Sequence, residues 1–119
     1  VLYVEDNPVN VMLVQDMLEL EPGVRLLVAT RPEAGIAMAA AERPDLVLLD
    51  IQLPGMDGFE VLRQLRRMPA LKDTPVCALS ASAMHDDLAR ARAAGFDDYL
   101  TKPIDIDRLL DLVRSAARR

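Results

Sequence analysis

The sequence predicts a doubly wound α/β fold, (βα)5, with a parallel five-stranded sheet of order 2-1-3-4-5 and helices on both faces. Five short apolar segments alternate with five helix-forming segments, at the spacing that βαβ units require. The central apolar segment, residues 46–49, is a continuous run of four apolar residues, which is typical of a strand buried on both faces. Polar residues follow the strands, at the edge of the sheet where ligands bind in this fold class.

Composition limits the class of protein. The 119 residues fit one domain, 1–119; 51% are hydrophobic but only 3% aromatic, so the core must be aliphatic. The net charge of -5 argues against direct nucleic-acid binding. Cys77, the single cysteine, lies in an apolar run and is predicted to be a buried core thiol. We expect a cytoplasmic protein without a membrane segment, and Val1, already within the first strand, indicates that a longer chain precedes it.

The first two strands and the helix between them have clear boundary signals. Residues 1–4 form the first strand, and a helix follows with Asn7 as its N-cap and Pro8 at its first position, extending to about residue 20. The second strand is predicted at 24–29, and Arg25 within it indicates an edge strand.

The other helices also carry start and stop signals. Thr30 and Glu33 have the spacing of a capping box for the second helix, and Asp57 with Glu60 has the same role for the third. Gly95 is suited to end the fourth helix in a left-handed conformation. The remaining predicted elements are a helix to about 42, strand 45–50, a helix from 57, strand 74–79, helix 83–94, strand 98–100 and helix 105–117.

At least one polar or charged residue lies at the end of each of four predicted strands. Glu5 and Asp6 end the first strand, Asp50 the third, Ser80 the fourth and Lys102 the fifth. All should therefore meet at the carboxyl edge of the sheet. Because the order 2-1-3-4-5 changes direction between strands one and three, both acids of the first strand should lie beside Asp50.

This set of side chains suits phosphoryl transfer. Three adjacent carboxylates repel one another unless a cation joins them, and Mg²⁺ (or Mn²⁺) prefers such oxygen ligands. Lys102 adds a positive charge and Ser80 a hydroxyl donor, so positioning and charge neutralisation are both available. No histidine is placed to make Asp50 a proton-transfer catalyst, so its better role is that of a nucleophile.

Six segments, in this order and spacing, resemble the receiver domain of two-component response regulators. They are VEDNPVN (4–10), LLD (48–50), LPGMDG (53–58), ALSA (78–81), GFDDYL (95–100) and TKPI (101–104). The resemblance covers essentially the whole chain and implies a flavodoxin-like fold. The stretches EDNPVN (5–10) and DDYLTKPID (97–105) resemble those of receivers fused to hybrid histidine kinases, so the chain would come from such a kinase or from a multi-domain regulator.

The resemblance implies a role for each site residue. Asp50 would accept a phosphoryl group from a phosphohistidine. Asp6 and Asp50 would bind Mg²⁺ directly, Glu5 would act through water, and the backbone carbonyl of Gln52 would be a further ligand. Lys102 would pair with Asp50 and then with the phosphoryl oxygens.

The same resemblance implies a switch. Ser80 would move toward the phosphoryl group and Tyr99 would turn inward, changing the face formed by the fourth helix, fifth strand and fifth helix. The Lys102–Pro103 peptide bond would be cis, and the side chains of Gln52 and Ser82 would tune dephosphorylation. The acidic pair is Glu-Asp where Asp-Asp is commonest, and Ser80 stands where Thr is more frequent, which bears on metal affinity and on the switching equilibrium.

The implied partner is a histidine kinase or a histidine phosphotransfer domain, docking on the first helix and on the loop at Pro103 and Ile104. No nucleic acid or membrane partner is implied, and the domain would be a monomer or a phosphorylation-dependent dimer. It would be a signalling switch that catalyses only its own phosphorylation and dephosphorylation, not an enzyme acting on other substrates.

Two other classes of protein share part of this pattern. A haloacid-dehalogenase-like phosphatase also uses an Asp nucleophile after a strand, but it needs a second acid where this chain has Gln52. A pseudo-receiver that only mediates contacts would be expected to have lost the acids or the lysine. Single residues also have structural alternatives: Asp6 as a helix cap, Tyr99 as edge packing, and solvated helix faces for His85 and for Arg63, Arg66 and Arg67.

Overall fold

The computed structural model of the protein describes residues 1–53, 55–81 and 85–117. Five parallel strands form one sheet in the order β2-β1-β3-β4-β5. The strands are β1 (Leu2–Val4), β2 (Leu27–Ala29), β3 (Val47–Asp50), β4 (Val76–Ser80) and β5 (Asp98–Thr101). The helices are α1 (Pro8–Leu18), α2 (Pro32–Glu42), α3 (Gly58–Arg67), α4 (His85–Ala94) and α5 (Ile106–Ala117). The predicted fold class and strand order are confirmed.

The sheet separates two aliphatic cores. Along β1, Leu2 and Val4 join the core beneath α2, α3 and α4, whereas Tyr3 joins the core beneath α1 and α5. This alternation is the two-residue period of a strand, expressed on both faces of a buried sheet. No helix in the described ranges has the length and apolarity needed to cross a bilayer.

Three predicted helix boundaries are confirmed. The Asn7 side chain accepts a hydrogen bond from the Val9 N–H at 2.9 Å, and the Asp57 side chain accepts one from the Glu60 N–H at 2.9 Å. Each satisfies a backbone donor that has no partner within the helix. Gly95 follows α4 with φ of 107°, a conformation that favours glycine. Because Asn7 is the N-cap of α1, Asp6 is not.

The capping box predicted for the second helix is wrong. The N-cap of α2 is Arg31, with φ -132° and ψ 149°, and no side chain caps it. Pro32 occupies the first helical position, and proline disfavours the helical conformation in the residue before it. The helix therefore begins too late for Thr30 to cap it.

Strand β2 is shorter than predicted, because it is an edge strand that pairs only with the three residues of β1. A 3-10 helix at Pro69–Leu71, too short for any periodic pattern, was not predicted. Helix α4 is described from His85 onward, and the predicted start at residue 83 lies outside the described residues. Arg66 is only partly exposed and its guanidinium donates to the carbonyls of Leu71 and Thr74, so it is not a freely solvated residue as predicted.

Strand register sets the positions of the polar residues. Val4 pairs with Leu49, so Glu5 comes beside Asp50. On the other side of β3, Asp50 pairs with Leu79, the residue before Ser80.

Candidate metal and phosphoryl-transfer site

Three carboxylates meet where β1 and β3 end. Glu5, Asp6 and Asp50 each offer one oxygen, and these oxygens lie within 4.8 Å of one another. Glu5 is fully buried and Asp50 is 4% exposed, whereas Asp6 is exposed. The structure thus brings together the acids that strand order predicted to be neighbours.

Lys102 contacts two of these three carboxylates. Its Nζ lies 2.9 Å from Glu5 Oε1 and 3.0 Å from Asp50 Oδ2, so one ammonium group bridges two strands. Burial alone would lower the pKa of Lys102, but the hydrogen bonds to both carboxylates outweigh burial and raise it. The Lys102–Pro103 peptide bond, which follows directly, is cis.

The pKa values of the two buried carboxyl groups, Glu5 and Asp50, are shifted in opposite directions. Burial raises the pKa of Glu5, and the adjacent Asp50 raises it further. Burial also acts to raise the pKa of Asp50, but its interaction with the Glu5 carboxyl group and its hydrogen bonds with the Gln52 N–H and with Lys102 leave it lowered. The Gln52 N–H donates to Asp50 Oδ1 at 2.9 Å. A lowered pKa keeps Asp50 ionised at neutral pH.

The donor set fits a hard divalent cation. All the candidate side-chain ligands are carboxylate oxygens, the class that Mg²⁺ and Mn²⁺ prefer. Within the described residues, Glu5 Oε2 is the one buried side-chain oxygen without a hydrogen-bond partner. A buried carboxylate oxygen without a donor is costly, and a cation or one of its waters would satisfy it.

Ser80 lies at the end of β4 and is 2% exposed. It lines a cavity of about 190 Å³ beside the turn that follows Asp50. The cavity is bounded by Ile51, Gln52, Asp57, Phe59, Ser80, Asp87 and Arg90. The guanidinium of Arg90 lies 4.3 Å from the centre of the Phe59 ring, so a cation–π contact links α4 to α3 at the cavity wall.

Tyr99 lies outside the carboxylate cluster. It pairs with Ala78, two residues before Ser80, and is buried in the core beneath α4. Tyr99 lines a cavity of about 430 Å³ together with residues of α4, of β5 and the loop before it, and of α5.

The chain is similar in sequence to known proteins along nearly its whole length. Residues 1–114 match the family described as response regulator receiver domain. The polar-differentiation response regulator DivK of Brucella anthropi is 36% identical over 115 residues, which cover 97% of this chain and 93% of DivK. The chain belongs to the response regulator receiver family.

Two solved structures of similar proteins hold a divalent metal. The receiver domain of the sensor histidine kinase PA1611 from Pseudomonas aeruginosa, with magnesium coordinated in its active-site cleft, is 31% identical with a TM-score of 0.87. The alignment covers 99% of this chain and 96% of that one. The Mn²⁺-bound response regulator Rcp1 is 32% identical with a TM-score of 0.76, over 96% of this receiver and 88% of Rcp1.

The structure describes only one of the two residues predicted to tune dephosphorylation. The side chain of Gln52 is exposed at the rim of this receiver's site and lines the cavity beside Ser80. Ser82 lies outside the described residues.

Three residues near the receiver site were not singled out from the sequence. Tyr3 and Asn10 both donate hydrogen bonds to Glu5, and Arg90 lines the cavity beside Ser80. Tyr3 had a usable signal, because residues two apart on a strand share a face and Tyr3 precedes Glu5 by two. The other two depend on how α1 and α4 are placed against the sheet, which periodicity alone does not give.

Proposed function

We propose that this receiver is a phosphorylation-driven switch in which Asp50 accepts a phosphoryl group from a phosphohistidine of a histidine kinase or histidine phosphotransfer domain. The observation that carries the proposal is the convergence of Glu5, Asp6 and Asp50, with the Lys102 ammonium 3.0 Å from Asp50. Membership of the response regulator receiver family also supports the proposal. The carboxylates and the ammonium group of a phosphoryl-transfer site meet here at one edge of the sheet.

The transfer uses Asp50 as the nucleophile. A carboxylate oxygen of Asp50 forms a bond to phosphorus while the nitrogen–phosphorus bond of the phosphohistidine breaks, and that electron pair returns to the imidazole nitrogen. The lowered pKa of Asp50 keeps the carboxylate ionised and ready to attack. Lys102 then exchanges its contact with Asp50 for contacts with the phosphoryl oxygens.

A divalent ion, Mg²⁺ or Mn²⁺, belongs to this proposal. Asp6 and Asp50 would hold it directly, Glu5 through water, and the Gln52 backbone carbonyl would complete the protein's share. When bound, the ion would neutralise the crowded carboxylates and the negative charge of the phosphoryl group. The all-oxygen donor set, the unpaired Glu5 Oε2 of the described chain, and the metals held by two similar proteins support it.

The output would run through Ser80 and Tyr99. Movement of Ser80 toward the phosphoryl group would let Tyr99 turn further inward and alter the face made of α4, β5 and α5. The cavity of about 430 Å³ beside Tyr99 supports this, since it offers room for rearrangement on that face. Gln52 and Ser82 would tune hydrolysis by controlling access of the attacking water, and the domain would be monomeric or dimerise on phosphorylation.

The proposal treats the chain as a cytoplasmic signalling switch that acts only on its own aspartyl phosphate. A phosphatase of the haloacid-dehalogenase type is disfavoured because Gln52 stands where that chemistry needs a second acid. The net charge of -5 also disfavours direct binding of nucleic acid by this domain.

Intact mass after incubation with acetyl phosphate tests the proposal. The wild type should gain one phosphoryl group with Mg²⁺ and none after chelation, and Asp50→Asn should gain none. Asp16→Asn, an exposed acid in the distal half of α1, is the matched control and should label like the wild type.

Phosphorylation of Asp50→Asn, or phosphorylation of the wild type that does not depend on Mg²⁺, would contradict the proposal. If the wild type gains no mass, the same samples are tested with beryllofluoride, a stable phosphoryl mimic, and Mg²⁺. Failure of both would favour a receiver that only mediates contacts.

A further inference from the structure

The two oxygens of the buried Glu5 side chain have different surroundings. Oε1 accepts from Asn10 Nδ2 at 2.6 Å and from Lys102 Nζ at 2.9 Å, and the Tyr3 hydroxyl lies 3.4 Å away. Oε2 is buried and, in the described part of the chain, has no hydrogen-bond partner. All the donors are thus on one oxygen, and the other is left for a ligand from outside the chain.

We propose that Asn10 is a positioning residue for the metal ion: by holding Glu5 Oε1, it fixes the carboxylate so that Oε2 serves the ion or one of its waters. The inference rests on the proposed function, which places a divalent ion among Glu5, Asp6 and Asp50. Partners that orient a metal-binding carboxylate are part of such sites, and their loss weakens metal binding.

Asn10 suits this role because its donor group is pre-placed. It lies in the first turn of α1, which starts four residues after β1 and is fixed there by Asn7 and Pro8. Glutamate has one more rotatable bond than aspartate, so holding it costs more conformational entropy unless another group fixes it. The short Asn10 contact at the far end of the side chain supplies that constraint.

Lys102 cannot serve Glu5 in the same way throughout the reaction. Its ammonium is shared between Glu5 and Asp50 and would turn to the phosphoryl oxygens during transfer. Asn10 is neutral and contacts Glu5 alone among the site carboxylates, so it can hold Oε1 before and after transfer. The Tyr3 hydroxyl, at 3.4 Å, is the weaker contact.

Titration calorimetry with Mg²⁺ alone tests the inference. Asn10→Leu keeps the size of the side chain and removes the amide, and it should weaken Mg²⁺ binding about 10-fold, a typical effect for residues that orient metal ligands. Gln15→Leu, an exposed position further along α1, controls for an added leucine on the same helix and should bind like the wild type. The metal-free thermal midpoint, read by circular dichroism, reports any general loss of folding.

A second background makes the test specific. In Glu5→Asp the carboxylate is one methylene shorter and no longer reaches the Asn10 amide. Asn10→Leu should then change Mg²⁺ affinity by less than about two-fold, which is about the deviation from additivity found even between independent residues. An equal loss in both backgrounds, or equal affinities of Asn10→Leu and wild type, would overturn the inference. A wild type that binds no Mg²⁺ would instead reject the proposed function. If Asn10→Leu does not fold, Asn10→Ala is judged by the same comparisons.

Discussion

At the scale of single residues, Cys77 shows how burial controls chemistry. It lies in β4 with 1% of its surface exposed, and burial raises the pKa of its thiol to about 12. The thiolate is the reactive form, so the folded chain should be nearly inert to thiol reagents. The prediction of a buried core thiol is confirmed.

We predict that the native protein reacts with a disulfide reagent at least ~100-fold more slowly than the urea-unfolded chain at about pH 8.5, because an unfolded thiol titrates near that pH.

The raised pKa of the Cys77 thiol also has a consequence for stability. A raised pKa in the folded state keeps the thiol neutral, so its contribution to stability is intact below the pKa of the unfolded thiol and is lost as pH rises toward about 12.

Absorbance of the released thiol measures both rates, and since Cys77 is the single cysteine the signal has one source. The free energy of unfolding of the wild type should fall relative to Cys77→Ala above about pH 9. Fast native labelling, or identical pH profiles of the two proteins, would contradict the burial argument.

The residues of the site differ in how far the sequence could predict them. Asp50, Glu5 and Lys102 follow from strand ends alone, because parallel strands bring their carboxyl ends to one edge. Asn10 and Arg90 do not, since their roles depend on which side of a helix faces the sheet. Helix α1 is apolar on most of its surface, so its sequence gives little indication of the inward face.

At the scale of elements, Arg66 joins α3 to the opposite end of the sheet. Its guanidinium donates to the carbonyls of Leu71 and Thr74 and to the Asp97 carboxylate at 2.8 Å. Asp97 also accepts from the Val76 N–H that begins β4. One side chain thus connects the 3-10 helix, β4 and the loop before β5.

We predict that Arg66→Ala lowers the free energy of unfolding by about 1–3 kcal/mol, the usual cost of losing charge-assisted hydrogen bonds to partly buried groups. Arg67→Ala is the matched control: it removes the same charge from the last turn of α3 but from an exposed position, so its effect should stay within about 0.5 kcal/mol. Urea denaturation measures both changes. Equal effects of the two variants would mean that helix charge, not the connection, is what matters.

Element boundaries show where pattern recognition ends. The caps of α1 and α3 were predictable because Asn7 and Asp57 accept hydrogen bonds within their own first turns. The cap predicted for α2 is wrong because the helix begins at Pro32, which places the N-cap at Arg31 and not at Thr30. The Arg66 connection spans 31 residues to Asp97, a distance that local patterns do not cover.

At the scale of the whole molecule, the site lies at the ends of the central strands, whose positions are fixed by neighbouring strands on both sides. The strands β1, β3 and β4 that carry Glu5, Asp50 and Ser80 are central, with aliphatic cores on both faces. Acidic groups held together by such a frame cannot move apart to reduce their repulsion. Folding and binding of the proposed metal ion should therefore be linked, because the unfolded chain lacks the cluster.

We predict that Mg²⁺ stabilises the fold by about 1.4 kcal/mol at ten times its dissociation constant, the value that mass action gives for a ligand bound only by the native state. For a domain of this size that corresponds to a rise of roughly 5 °C in the thermal midpoint. Asp6→Asn should abolish most of this rise, because it removes the exposed acid of the cluster, while changing metal-free stability by no more than about 0.5 kcal/mol, as expected for a surface site. Sodium chloride at matched ionic strength separates binding from the screening of a chain of net charge -5. An equal rise with both salts, or an undiminished rise in Asp6→Asn, would show that the ion acts on the protein's overall charge and not at the carboxylates where β1 and β3 end.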